Sequence, residues 1–84
     1  MSYEVKYSNQ ALKFLKKLDK DIAKRILTKI GELKDSPYSS ETSKVKGTDY
    51  FKIRVGKIRI VYDINNKDKI LGIVKIDKRE RVYD

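Results

Sequence analysis

An α+β domain, ordered β-α-α-β-β-β, with an antiparallel sheet and a helical hairpin packed on one face, is what three observations predict. Two consecutive stretches between residues 9 and 36 carry apolar residues at helical spacing, whereas the stretches before and after them alternate with period two. Gly56-Lys57 and Asn65-Asn66-Lys67-Asp68, both strong turn formers, cut the second half into three short runs. At 84 residues the chain makes a single domain over 1–84, too small to cover both sides of a sheet, so one face is expected to remain open.

Each element has its own signature. Tyr3, Val5 and Tyr7 alternate with Glu4 and Lys6, the pattern of a half-buried strand. Ser8 has the chemistry of an N-cap, and Ala11, Leu12, Leu15 and Leu18, widened by Phe14, form the stripe of a first helix. Asp19 is placed to cap a second helix, whose face is Ile22, Ala23, Ile26, Leu27, Ile30 and Leu33, until Ser36-Pro37 stops it. Residues 38 to 49 are polar and aperiodic and contain Gly47, so they are expected to be loop. Strands are expected at roughly 50–55, 58–64 and 69–76, the last central because Ile70 to Ile76 is apolar nearly throughout.

A two-residue turn at Gly56-Lys57 fixes the register of the hairpin around it. Val55 then faces Ile58, Arg54 faces Arg59, and Lys52 lies opposite Val61, while Phe51, Ile53, Ile58, Ile60 and Tyr62 point toward the helices. Directly opposed like charges cost a few tenths of a kcal/mol and up to ~1. Such a pair is either an ordinary solvated surface in a chain where 21 of 84 residues are Lys or Arg, or a face shaped for an anion.

Composition narrows the chemistry. There is no cysteine and no histidine, which excludes disulfides, zinc-thiolate sites and imidazole acting as base or ligand. With 21 Lys and Arg against 12 Asp and Glu, the net charge of +9 favours a polyanionic partner, nucleic acid first. The longest apolar run, Ile70 to Val74, is far too short for a membrane span, and MSYEVKYSNQ has no signal-peptide apolar region, so a cytoplasmic location without membrane partners is expected. Asp63, Asp68 and Asp77 sit at turns and strand ends, an argument against a two-metal site. Lys13, Lys16, Lys17, Lys20, Lys24 and Lys29 read as solvated helix faces.

Phosphate suits the clustered arginines, whose planar forks match its oxygens and can hold the charge that builds as a phosphodiester is attacked. Cutting RNA without histidine needs a group to take the 2′-hydroxyl proton, cations for the crowded phosphate and a proton for the leaving oxygen. Lys52, among arginines, is a candidate base because like charges disfavour its protonated form, and Tyr83 can stack on a base or orient the sugar.

From end to end the chain resembles the RelE toxins of the RelE/ParE superfamily. The resemblance is carried by the opening strand, Ala11-Leu12-Lys13, Lys16-Lys17-Leu18-Asp19, Ser36-Pro37, Lys44-Val45-Lys46-Gly47, Arg59-Ile60-Val61-Tyr62 and the ending Lys78-Arg79-Glu80-Arg81-Val82-Tyr83. It implies a toxin of a type II toxin-antitoxin system, a metal-independent, cofactor-free endoribonuclease (mRNA interferase) that cuts messenger RNA in the ribosomal A site and so inhibits translation. By position, Lys52 matches a catalytic lysine, Arg59 the arginine that stabilises the transition state, Arg79 the proposed proton donor to the leaving group, and Tyr83 the tyrosine that contacts the nucleotide. Arg54 departs from the pattern, standing where the best-studied member has a lysine assigned as general base, so that role passes to Lys52, to water or to a ribosomal group. Lys44, Lys46, Lys57, Lys78 and Arg81 complete the basic surface expected to contact RNA. The implied partners are a RelB-like antitoxin with an acidic segment, the ribosome with its mRNA, and a higher-order toxin-antitoxin assembly. Two other readings stay open: a ParE-like DNA gyrase poison of the same fold, and an RNA- or ribosome-binding module without catalysis.

Overall fold

Ser8 ends the first strand and starts the first helix, and its side chain does both. Its Oγ accepts the Ala11 N–H at 3.1 Å as an N-cap and donates its own proton to the Val74 carbonyl at 2.7 Å, joining the helix start to the sheet. In the computed structural model, which describes residues 2–38 and 42–78, the elements are β1 (Glu4–Tyr7), α1 (Asn9–Lys17), α2 (Lys20–Asp35), β2 (Ser43–Lys44), β3 (Phe51–Val55), β4 (Ile58–Asn65) and β5 (Ile70–Lys78). They form one five-stranded sheet in the order β1-β5-β4-β3-β2 with both helices on one side, the expected α+β architecture.

Four details differ from expectation. The sheet is mixed, because β1 pairs in parallel with β5, with Val5 beside Leu71 and Tyr7 beside Ile73. Alternation reveals a strand but not its partner, and the helical hairpin carries the chain across the sheet before the meander of β3 to β5 brings a strand back alongside β1. The polar segment 38–49, expected to be loop, contains the two-residue strand β2, too short and polar to show a period. The central strand is β4, with β5 between it and β1. Asp19 occupies the N-cap position of α2 with its carbonyl accepting the Ala23 N–H at 2.9 Å, but its side chain makes no capping bond.

The core lies between α2 and the sheet. Ile26, Ile30 and Leu33 from α2 meet Ile53, Ile58, Ile60, Tyr62, Leu71, Ile73 and Ile76, with Ala11 from α1 and Tyr3 closing the sides. Leu12 and Leu27, expected within the apolar stripes, are exposed instead at 41% and 47%. The Tyr62 hydroxyl donates to the Pro37 carbonyl at 3.0 Å and shares a 2.6 Å hydrogen bond with Thr42, while its ring stacks on Phe51, so one buried aromatic anchors both sides of the crossing after α2. No helix among the described residues is long and apolar enough to cross a membrane.

An irregularity in β5 explains why its apolar run shows no alternation. Between Val61 and Tyr62 the β4 partners jump from Lys75 to Ile73, so Val74 is an extra residue. Before it, Leu71 and Ile73 face the helices; after it, Ile76 does.

Candidate nucleic-acid interface

Residues paired in register share a face, so the hairpin sorts its own charges. Gly56, at φ +60°, opens the turn between Val55 and Ile58, and the register that follows sets Ile53 beside Ile60 on the helix side, with Arg54 beside Arg59 and Lys52 beside Val61 on the other. This is the pairing expected from the sequence. Continued onto β5, the open face receives Asp77 beside Arg59 and Lys75 beside Val61.

Lys52 is half-buried and Arg54 exposed, and neither has an ion-pair partner among the described residues. Register flanks Lys52 with uncharged Ser43 and Val61, so its cationic neighbours on this face, Arg54 and Arg59, lie along the strand and diagonally across. Arg59 is held: its Nε donates to Asp77 Oδ1 at 3.1 Å and its Nη2 to Asp77 Oδ2 at 2.7 Å, a bidentate pair. Lys75 Nζ approaches the same Oδ2 at 3.5 Å. Partial burial opposes ionisation of Asp77, but the hydrogen bonds and charge of Arg59, joined by Lys75, outweigh it and hold the carboxyl below the usual carboxylate range.

The other basic candidates scatter. Lys44 pairs with Phe51 and Lys78 with Ile58, both helix-side residues, so these lysines stand on the helix side of the sheet at its rim. Lys57 completes the hairpin turn. Lys46 lies in the turn after β2, closed by Thr48, whose N–H and hydroxyl both donate to the Val45 carbonyl. Arg79, Arg81 and Tyr83 lie outside the described residues. Sequence reading missed Asp77 and Lys75 as members of this face. Their placement either side of inward-facing Ile76 assigns them to this face only once the order of β4 and β5 and the extra residue Val74 are known.

Two helices lie on one side of a five-stranded sheet and Lys52, Arg54 and Arg59 on the other, and a family profile described as the ParE toxin of the type II toxin-antitoxin system, parDE, matches residues 5–83 of this domain. Among the relatives, a putative RelE-like toxin protein of Escherichia coli is 34% identical over 96% of this chain and 87% of its own length. The mRNA interferase toxin RelE of Escherichia coli K12 is 29% identical over the same shares. Among solved structures, RelE in the archaeal RelE-RelB complex of Pyrococcus horikoshii superposes with a TM-score of 0.82 at 32% identity, covering 98% of this chain and all of that one. The chain belongs to the RelE toxin family of the RelE/ParE superfamily.

Proposed function

We propose that this toxin is a ribosome-dependent endoribonuclease that cuts mRNA in the A site by chemistry carried on side-chain cations, without a metal ion, and that a RelB-like antitoxin restrains it. The observation that carries the reading is the open sheet face, which gathers Lys52, Arg54 and Arg59 on the side away from α1 and α2. The mRNA interferase name borne by a full-length relative supports it, and the RelE-RelB complex among its structural neighbours supports the antitoxin.

In the proposed reaction the 2′-oxygen attacks the adjacent phosphorus and loses its proton, the bond from phosphorus to the 5′-oxygen breaks, and the departing oxygen takes up a proton. The products are a 2′,3′-cyclic phosphate and a 5′-hydroxyl. Arginine is already protonated at working pH and so cannot take up the 2′-hydroxyl proton, which leaves Arg54 and Arg59 to hold the charge of the crowded phosphate. The attacking hydroxyl's proton then passes to Lys52, to water or to a ribosomal group. By resemblance, Arg79 delivers the second proton and Tyr83 holds the nucleotide, while Lys44, Lys46, Lys57, Lys78 and Arg81 add attraction for the backbone.

The test is primer extension on a translated mRNA, with and without ribosomes, for the wild type and Arg59→Ala. Cuts that need ribosomes and fall by about 10²–10³ in the variant are expected; no cuts from folded wild type would refute the reading. The ParE description of the matching profile favours a second reading, a gyrase poison. Inhibition of gyrase supercoiling by a wild type that leaves mRNA intact would establish it.

A further inference from the structure

Resting on the endoribonuclease reading, we propose that Asp77 is a positioning residue for Arg59: its carboxylate fixes the guanidinium on the open face and, by its charge, holds down affinity for the RNA backbone. A lone arginine on a bare sheet would sample many rotamers, and each lost before reaction slows the chemistry. Here the Nε–Nη2 edge of the fork is committed to Asp77 through two hydrogen bonds, which sets the guanidinium plane and directs the Nη1–Nη2 edge away from the carboxylate.

The anchor is itself rigid. Asp77 follows Ile76, whose side chain is fully buried and whose backbone N–H and carbonyl are both bonded to the Gln10 amide, at 3.0 and 2.8 Å. Arg59 and Asp77 side chains are only 24% and 23% exposed, against 53% for Lys75, so the pair is partly shielded from competing water while Lys75 stays wet. Asp77 remains ionised at working pH, because Arg59 and Lys75 stabilise its charge more than burial opposes it. The cost falls on binding. A fixed negative charge among Lys52, Arg54, Arg59 and Lys75 repels a phosphate backbone, so the same residue that helps the reaction weakens the encounter.

These two effects have opposite signs, which separates the proposal from a merely structural ion pair. Asp77→Asn keeps the shape of the side chain and removes the charge and one acceptor. It is expected to slow the single-turnover cleavage step on ribosomes about 10–100-fold while tightening binding of a single-stranded RNA oligonucleotide about 2–5-fold at low salt. Asp77→Glu should recover part of the rate. Asp63→Asn serves as the charge control: Asp63 lies on the same face over Gly72, four residues along β4 from Arg59, and its removal should tighten RNA binding without changing the rate. In ¹⁵N-edited spectra the Arg59 Nε–H should exchange slowly in the wild type and in Asp77→Glu, and quickly in Asp77→Asn. An Asp77→Asn variant that cleaves at the wild-type rate, keeps a protected Arg59 Nε–H, or loses rate and binding together overturns the proposal. A wild type that cuts nothing refutes the endoribonuclease reading on its own, and the exchange and binding comparisons then still decide whether Asp77 fixes Arg59 for an anion.

Discussion

Replacing Arg54 by threonine should stabilise the fold and weaken RNA binding in the same molecule. Arg54 stands directly opposite Arg59, at a separation where opposed like charges cost a few tenths of a kcal/mol to ~1. Arg59 is already paired with Asp77, so the repulsion Arg54 meets lies at the lower end, about 0.2–0.5 kcal/mol. For a domain of this size, 1 kcal/mol moves Tm by roughly 4–8 °C, so Arg54→Thr is expected to raise Tm by about 1–4 °C at low salt. With Asp77 changed to Asn the neutralising partner is gone, and the same substitution should stabilise by about twice as much, a coupling that a double-mutant cycle measures directly. The affinity for single-stranded RNA should fall, with the salt slope shallower by about 0.7, the loss of one phosphate contact. Calorimetry on the four proteins and salt titrations of RNA binding make the assay. A lower Tm for Arg54→Thr, or an identical gain in both backgrounds, would refute an open face strained by its own charge and relieved by Asp77.

Four further outcomes are expected. Ile60→Ala, at a fully buried position in the central strand, should cost about 2–5 kcal/mol in urea unfolding, a large fraction of what a chain this short can hold. Ser8→Ala should cost about 1–2 kcal/mol in the same assay, since it removes the cap on Ala11 and leaves the Val74 carbonyl without its donor. Asp77 has a folded pKa below its unfolded value, so its contribution is fully present above an unfolded pKa of about 3.9 and is lost as pH falls through the folded one; Tm between pH 6 and 2.5 should fall less steeply in Asp77→Asn. Tyr62 behaves oppositely: burial, aided by Tyr38 and opposed by the Thr42 hydrogen bond, raises its pKa, so stability present below an unfolded pKa of about 10 is lost above it, and Tyr62→Phe should flatten the alkaline limb of the same Tm profile.

What the sequence showed depended on how local the determining interaction was. The pairing of Arg54 with Arg59 and Lys52 with Val61 was legible because a two-residue turn at Gly56-Lys57 leaves one register. The helices were legible from their stripes and from Ser8 and Pro37, although Leu12 and Leu27 show that a stripe can be wider than the surface that covers it. The parallel pairing of β1 was not legible, since it joins residues more than sixty positions apart and alternation carries no direction. Asp77 was hidden for a related reason. Placing it beside Arg59 requires knowing that β5 follows β4 in the sheet and that Val74 shifts the phase, neither of which the run Ile70 to Ile76 discloses. Lys44 and Lys78 stand out in the sequence by charge, and only the pairing partners Phe51 and Ile58 show which side they occupy.

The bonds from Ser8 and Gln10 to β5 bear on how such a chain stays dispersed while its partner is absent. β1 ends opposite Ile73, yet β5 runs on to Lys78, and the stretch beyond would offer bare N–H and carbonyl groups as a template for another molecule's strand. Instead the Ser8 hydroxyl takes the Val74 carbonyl, and the Gln10 side chain takes both backbone groups of Ile76, imitating the next residue of a strand that is not there. The start of α1 thereby plugs a site of self-recruitment on the stretch of β5 that outruns β1.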